Sequence, residues 1–253
     1  MPCVAGPMRQ PLSVYPLTSN DRQSQEEQMM HKGHTVSVVI PCYNEEEGIR
    51  VTLADMPAVV DEVVVVDNNC TDRTAEVASA LGARVVRETR PGYGAAYKAG
   101  FGAAAGDIIV AMDGDATYPR GFIPVLLDVL IDEQLDFITC DRTGHKAEEA
   151  NSFLRVLGNL VLNLAMFVCY GIWLKDSQSG MWVFRRSLLS KLKLTSDGMS
   201  FSEEIKVAAF GCKGCRAREL PIYYRERIGE SKLNLWHDGF TNLVFLFRRR
   251  LGG

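Results

Sequence analysis

Short apolar runs alternate with helical stretches between residues 36 and 140 of the 253-residue chain. Five runs, most of them rich in Val or Ile, predict strands at 36–40, 62–66, 83–87, 107–112 and 136–140. The stretches between them predict helices, the first with acidic residues in its opening turn, where the helix dipole favours them. Because strand and helix alternate strictly, we expect an α/β fold, a Rossmann-like three-layer α/β/α arrangement with a largely parallel (mixed) central sheet.

The chain divides into three parts. Residues 1–34 contain four prolines and a polar run without apolar periodicity, which predicts a poorly ordered tail. The α/β pattern occupies residues 35–231, a length that suits one domain. Residues 232–253 predict an amphipathic helix in which aromatic and aliphatic residues precede three arginines. Such a helix either packs on the core or anchors the chain to a membrane surface.

A second apolar stretch, 153–174, has about the length of a membrane span but carries polar residues inside it. Arg155, Asn159 and Asn163 recur at helical spacing, which favours an amphipathic helix packed on the domain or lying in an interface. The first residues have no continuous apolar core of the kind found in signal peptides. We therefore expect a cytoplasmic protein, peripheral on the inner face of the membrane if it binds lipid.

Composition and charge narrow the function classes. A net charge of −3 and a pI near 5.9 argue against a nucleic-acid partner, which would require a basic face. Seven scattered cysteines suit a reducing compartment rather than a disulfide framework. Cys212 and Cys215 have the spacing of a redox or metal pair, but without a second pair they indicate an ordinary turn with two thiols. Neither G-x-G-x-x-G nor a P-loop motif is present, which argues against a dinucleotide oxidoreductase.

Asp113-Gly114-Asp115 follows the fourth apolar run directly. Two carboxylates at the carboxyl end of a buried strand lie where open α/β sheets bind ligands, and Mg²⁺ is commonly held by one or two carboxylates plus substrate phosphates. The intervening glycine allows the backbone to pass close to a ligand. A D-x-D triplet also arises by chance about once in a chain of this length, so its context has to decide.

Two further polar loops follow predicted strands, at 44–47 and 67–72. In a parallel sheet they meet the 113–115 loop at one edge. Asp67 would then accept hydrogen bonds from a base or ribose. Turn formation and helix capping are the alternative roles for these Asp and Asn residues, Asp72 above all.

Seven segments in order resemble the family-2 glycosyltransferases, most closely the polyprenyl-phosphate or dolichyl-phosphate mannose or glucose synthases. They cover most of the chain between residues 36 and 233: Val39-Ile40-Pro41-Cys42-Tyr43-Asn44-Glu45, Val65-Val66-Asp67-Asn68-Asn69-Cys70-Thr71-Asp72, Gly92-Tyr93-Gly94, Asp113-Gly114-Asp115-Ala116-Thr117-Tyr118-Pro119, Asp176-Ser177-Gln178-Ser179-Gly180, Phe201-Ser202-Glu203-Glu204 and Gly229-Glu230-Ser231-Lys232. The resemblance implies a GT-A fold, a UDP- or GDP-sugar donor, Mg²⁺ or Mn²⁺, and transfer with inversion.

The resemblance also implies roles for particular residues. Asp115 would be the firmer metal ligand, with Asp113 between ribose and metal, and Asp67 would bind the base. Arg142 would meet the donor diphosphate and Lys232 would close over the phosphates, although both also suit ordinary surface positions. The remaining nucleotide-sugar contacts would be Pro41, Tyr43, Asn44, Glu45, Asn69, Gly94 and Gly114.

The acceptor side departs from the family pattern, because Trp182 stands where the family typically has arginine. Either Arg185 or Arg186 replaces that cation, or the tryptophan stacks on an acceptor, or activity is weakened. A polyprenyl phosphate is already anionic and needs no base, whereas a soluble hydroxyl acceptor needs one. Asp176 and Glu204 are the candidate bases. A non-catalytic sugar-nucleotide-binding protein is the alternative from another class.

Overall fold

The computed structural model describes residues 30–143, 153–229 and 235–252. Most of the predicted tail lies outside the described residues, as does Lys232. The described end of that tail is packed on the domain. His31 Nε2 lies 3.1 Å from Asp128 Oδ1, and Lys32 Nζ lies 2.8 Å from Asp132 Oδ2.

Within the described residues, seven strands form one sheet. Five of them lie within two residues of their predicted positions: β1 (Val36–Cys42), β2 (Glu62–Asp67), β3 (Arg84–Arg87), β4 (Ile108–Ala111) and β5 (Phe137–Asp141). The pattern did not predict β6 (Trp182–Arg185) or β7 (Ala217–Pro221). Both are short, and β6 follows an irregular segment rather than a helix.

The strand order is β3-β2-β1-β4-β6-β5-β7. Four neighbouring pairs are parallel, and β6 runs antiparallel to both β4 and β5. The prediction of a largely parallel, mixed sheet is therefore confirmed. The parallel strands β1, β2 and β4 bring the loops that follow them to one edge.

Helices cover both faces of the sheet: α1 (Glu46–Ala54), α2 (Thr74–Ala80), α3 (Tyr93–Ala103), α4 (Ile123–Asp132), α5 (Phe153–Tyr170), α6 (Phe201–Gly211) and α7 (Leu235–Leu251). The valines of β2 alternate between the two cores, with Val65 on the face of α1, α2 and α4 and Val64 and Val66 on the face of α3 and α6. A strand buried on both faces is consequently apolar throughout. The three-layer arrangement follows from this pattern.

The helix α5 buries Asn163 together with the apolar residues Leu162, Ala165, Met166 and Cys169, and it leaves its other apolar side chains exposed. Asn163 is buried, donating to Lys175 O at 2.8 Å and accepting the Ser177 N–H at 3.0 Å. The outward side chains are between 44% and 70% exposed: Val156, Leu157, Leu160, Val161, Leu164, Phe167 and Val168. The expected helix is thus present and packed on the domain, with a mixed polar and apolar inner face and an apolar outer face. Among the described residues, no helix is both long and apolar enough to cross a bilayer.

The cysteine pair differs from the expectation. Cys212 and Cys215 are joined in a disulfide between the end of α6 and the segment before β7. Both pack against the core on the α6 side of the sheet. The expectation of two thiols in an ordinary turn is therefore wrong, although the turn itself is present.

Candidate active site

The metal loop, residues 113–117, follows β4 and carries the two carboxylates expected to bind a cation. Asp115 is 3% exposed, and its Oδ1 accepts hydrogen bonds from the N–H and the hydroxyl of Thr117, at 3.1 and 2.6 Å. Gly114 has no room for a side chain, because a Cβ there would lie 2.9 Å from Cys42 Sγ. Ala116 has a φ of 65°, a conformation that costs a non-glycine residue about 1–3 kcal/mol. The loop is thus a tight and partly strained turn that its own bonds hold in shape.

Asp113 is the carboxylate most affected by its surroundings. Its Oδ1 accepts a hydrogen bond from the Tyr93 hydroxyl at 3.1 Å. Burial, and after it the charge of Asp115, raises the pKa of Asp113 to about 7. Two carboxylates in one buried loop repel each other, so the pair favours a cation.

The chemistry of the metal loop fits a hard divalent cation. Such ions take oxygen ligands, and Mg²⁺ is often held by one or two carboxylates together with substrate phosphates and water. Among the residues that the structure describes, no third His, Cys, Asp or Glu joins the pair into a metal-binding group. Phosphate oxygens of a bound donor and water would add to the two carboxylates.

Arg227 is a site residue that the sequence reasoning missed. Its Nη1 lies 3.0 Å from Asp115 Oδ2 and its Nη2 donates to Glu45 Oε1 at 2.7 Å, so one guanidinium bridges two strand-end loops. Backbone N–H groups of Arg225 and Ile228 donate to carbonyls of the metal loop at 2.9 and 3.0 Å. These hydrogen bonds hold residues 225–228 against the metal loop. The sequence contained a signal for Arg227, because this residue lies two positions before the matched segment 229–232.

The loops after β1 and β2 are bonded to each other. Asn44, with a φ of 53°, accepts the N–H groups of Thr71 and Asp72 on its side-chain oxygen at 2.7 and 3.3 Å. The Glu45 N–H donates to Thr74 Oγ1 at 2.9 Å. Asn44 therefore braces the edge where the nucleotide is expected.

The other predicted nucleotide contacts lie at the same edge. Tyr43 is 52% exposed, and Pro41 is paired within the sheet at the end of β1. Asp67 accepts the Cys70 N–H at 2.8 Å, which is turn chemistry, and is partly exposed. Asn69 donates to a carbonyl of the β3–α3 connection at 3.2 Å. Their contacts with a nucleotide stay predictions.

Two glycines allow close packing, one at the start of α3 and one beside the metal loop. A Cβ at Gly94 would lie 2.4 Å from Ser196 O, so this glycine serves the packing of α3. A Cβ at Gly180 would lie 2.9 Å from Asp113 Oδ2 and 2.6 Å from the Tyr93 hydroxyl. The segment before β6 therefore lies against the carboxylates.

Arg142 and Asp176 form a two-pronged ion pair. Arg142 Nε and Nη2 donate to the two carboxylate oxygens at 2.6 and 2.9 Å, and the Arg142 N–H adds a bond of 3.1 Å. Asp176 is fully buried, and Arg142 lies 5.1 Å from the centre of the Tyr224 ring. A carboxylate bound in this way holds the guanidinium in one orientation. The role of Asp176 as a base stays a prediction, and its contacts favour the orientation of Arg142.

Glu204, in the first turn of α6, is fully buried. Its oxygens accept the N–H groups of Thr195 and Ser196 at 2.8–3.0 Å, and Arg249 of α7 forms an ion pair with it. These contacts leave the carboxylate no exposed side for a substrate. The role of Glu204 as a base stays a prediction, and its contacts fasten a loop and α7 to α6.

Trp182 is fully buried, with its ring centre 5.0 Å from that of Tyr97 and 6.1 Å from that of Phe201. Of the three alternatives for this position, stacking of Trp182 on an acceptor is therefore not supported. Arg185 and Arg186 do not replace a cation at this place either. They lie at the other end of β6 and donate to backbone carbonyls there, at 3.0 and 2.8 Å.

Comparisons with known proteins agree with this arrangement. The family model described as "Glycosyl transferase family 2" matches residues 37–193. "Dolichyl-phosphate hexose transferase" of Haloferax volcanii is 38% identical over 209 residues, which cover 81% of this chain and 89% of that protein. "Low-salt glycan biosynthesis hexosyltransferase Agl6" of the same organism is 35% identical over 221 residues, 84% of this chain and 53% of that protein.

A solved structure supplies the fold. Glucosyl-3-phosphoglycerate synthase from Mycobacterium tuberculosis, in complex with Mg²⁺ and uridine diphosphate, matches with a TM-score of 0.71 at 24% identity. The match covers 94% of this chain and 85% of that one. The predicted GT-A fold is thereby confirmed.

Proposed function

Because this chain belongs to glycosyl transferase family 2, we propose that it moves a hexose from a UDP- or GDP-sugar to a polyprenyl phosphate, with inversion at the anomeric carbon. The observation that carries the proposal is that the carboxylates of both candidate bases are engaged by arginine side chains. Asp176 is bound on both oxygens by Arg142, and Glu204 is buried against Arg249. A hydroxyl acceptor needs a base, and a phosphate acceptor does not.

The donor half of the reaction lies at the metal loop. Asp113 and Asp115 would hold Mg²⁺ or Mn²⁺, which when bound supplies Lewis acidity to the diphosphate leaving group. Arg227 Nη1 lies 3.0 Å from Asp115 Oδ2. Burial raises the pKa of Asp113, and the positive charge of Arg142 opposes that rise. Fixed cations at this place stabilise the charge that builds up on a departing diphosphate. Asp67 and Tyr43 would border the nucleobase.

The relatives support the acceptor class. The Haloferax volcanii relative is named a dolichyl-phosphate hexose transferase, and a protein of Pyrococcus furiosus that is 30% identical over 211 residues is named a dolichol-phosphate mannosyltransferase. Both names specify a lipid phosphate. A soluble acceptor held by stacking loses its support, since Trp182 is fully buried.

The outward face of α5 supports a membrane-bound acceptor. Monomeric proteins rarely expose a contiguous apolar patch of this kind without a function. Phe240, Phe247 and Leu251 add exposed apolar side chains on α7, which packs against α5. Arg248 and Arg250 are exposed on the same helix. Apolar burial together with cations worth about 1 kcal/mol each near anionic lipid would give reversible binding to the inner face of a membrane.

The test is transfer of labelled sugar from UDP- and GDP-hexoses with Mn²⁺, to short-chain polyprenyl phosphate in detergent and to soluble hydroxyl acceptors in parallel. We expect product only with the lipid phosphate. Sedimentation with anionic vesicles at low salt is measured beside it, with Leu160→Glu as the variant and the exposed Val125→Glu on α4 as the matched control. Transfer to soluble acceptors alone, without vesicle binding, would contradict the lipid assignment.

A further inference from the structure

Lys206 of α6 has a fully buried ammonium group. Its Nζ donates to the carbonyl oxygens of Ser177 and Ser179 at 2.5 and 2.6 Å, and to Ser202 Oγ at 3.0 Å. An ammonium has three N–H donors, so all of them are used. Lysines are almost never fully buried unless they are paired. A lysine that satisfies two backbone carbonyls at this depth fixes the segment to which they belong.

The bridging segment, residues 176–180, connects the two sides of the candidate active site. At one end Asp176 orients Arg142. At the other end Gly180 packs against Asp113, and its N–H donates to the Tyr118 hydroxyl at 2.6 Å. A shift of this segment would therefore move Arg142 relative to the metal loop.

The bridging segment is neither helix nor strand, and it depends on side chains for its position. Its own turn, from the Ser179 N–H to Asp176 O, is long at 3.4 Å. Trp182 donates its indole N–H to Ser179 O at 3.0 Å, and Lys206 Nζ lies 5.6 Å from the centre of that ring. An aromatic face is a favourable place for an ammonium. Trp182 itself is uncharged, and the cation beside it is the ammonium group of Lys206 on α6.

We propose that Lys206 is a positioning residue, whose ammonium holds the bridging segment and thereby sets the placement of Arg142 relative to Asp113. Lys206 reaches the chemistry through other residues, because its three donors are occupied by protein acceptors. The expected effect of Lys206 on the reaction rate rests on the proposed sugar transfer. Its expected effect on the order of the bridging segment does not depend on that proposal.

The experiment compares three variants with the wild type. Lys206→Met keeps the length of the side chain and removes the charge, and Lys206→Arg restores a cation. Lys213→Met makes the same change at an exposed lysine and serves as the control. Hydrogen exchange of the amides in 176–181 and the kinetics of transfer are measured for each.

For Lys206→Met we expect exchange at least about tenfold faster, confined to 176–181, and a kcat lower by about 10- to 100-fold. The KM for the donor should change by less than about threefold, because the nucleotide edge is untouched. Lys206→Arg should recover part of both effects, and Lys213→Met should match the wild type. If Lys206→Met does not fold, Ser202→Ala, which removes one acceptor, should show the same local effect at about two- to fivefold.

Wild-type exchange and wild-type kcat in Lys206→Met would overturn the proposal. Faster exchange throughout α6 and the neighbouring strands would overturn it too, since the lysine would then serve general stability. If the wild type itself transfers no sugar, the sugar-transfer proposal fails, and local loss of protection in 176–181 still supports the positioning role. The two failures are therefore distinguishable.

Discussion

Replacement of Asp115 by asparagine distinguishes the contribution of this residue to metal-dependent activity from its contribution to the stability of the fold. The amide oxygen of asparagine can still accept both bonds from Thr117, at 3.1 and 2.6 Å in the wild type. The substitution replaces the carboxylate oxygen Oδ2, which forms an ion pair with Arg227 at 3.0 Å, by an uncharged amide nitrogen. Arg227 is 27% exposed, so the pair is partly screened by solvent and its loss should cost about 1 kcal/mol. Loss of a neighbouring negative charge relieves Asp113, which offsets part of that cost.

The same substitution should have a much larger effect on turnover. A Lewis acid supplies several kcal/mol of charge stabilisation, and each 1.36 kcal/mol corresponds to a factor of ten in rate. We therefore expect Asp115→Asn to unfold within a few degrees of the wild type and to lose metal-dependent transfer by about 10²-fold or more. Thr117→Val is the matched control, since it removes one bond to Asp115 without a change of charge.

The assay is the initial rate of transfer as a function of Mn²⁺ concentration, with thermal unfolding measured on the same samples. Thr117→Val should lose only a few-fold in rate, because Asp115 keeps its charge and one of its two bonds. A near-wild-type rate in Asp115→Asn, with Mn²⁺ still required, would refute the assignment of this carboxylate. An unfolded Asp115→Asn would refute the reasoning about the Thr117 bonds.

Three further predictions concern other parts of the molecule. Asp67→Ala should weaken nucleotide binding by about 1–3 kcal/mol in calorimetry, and unchanged affinity would leave Asp67 as a turn residue. Asp176→Asn should keep the shape of the pH–rate profile for a polyprenyl phosphate acceptor, because the aspartate orients Arg142; the loss of the acidic limb, where the rate falls as a base is protonated, together with a 10²–10⁴-fold lower rate would identify a general base. Burial raises the pKa of Glu203 to about 7 from its ordinary 4.5, so the folded chain binds more protons than the unfolded chain between those values. The free energy of unfolding of the chain should then fall as pH rises from about 4.5 to 7. Asp113, whose pKa is also raised to about 7, contributes to this fall, so Glu203→Gln should reduce the decline between urea titrations at pH 5 and pH 7 without abolishing it.

The first five strands and the helices between them were predictable because their signals are local. The run 63–66 consists of four valines, and such a continuously apolar run predicts a strand that is covered on both faces. Once the strands are parallel, their carboxyl ends share an edge, so the meeting of Asn44, Asp67 and Asp113 needs no knowledge of distant contacts. The D-x-D turn is local in the same sense, since Thr117 holds Asp115 from two residues away.

Residue type alone did not predict which partners the buried charged side chains would have. A carboxylate in the first turn of a helix suits a base and a structural anchor equally well, and only the tertiary structure shows that Arg249 of α7 forms an ion pair with Glu204. The same holds for Arg227, whose pairing with Asp115 depends on where a segment far along the chain crosses the metal loop.

The amino-acid sequence by itself determined the α/β architecture, the strand-end loops and the acidic pair, because each follows from periodicity or from neighbours within a few positions. Only the tertiary structure decided that β6 enters the sheet antiparallel, that the asparagines of α5 turn inward, and that a lysine on α6 lies beside Trp182. The physical reason is the same in all three cases. The sequence shows which residues can form hydrogen bonds or ion pairs. It does not show their partners, because long-range packing places elements that are far apart in the chain against each other.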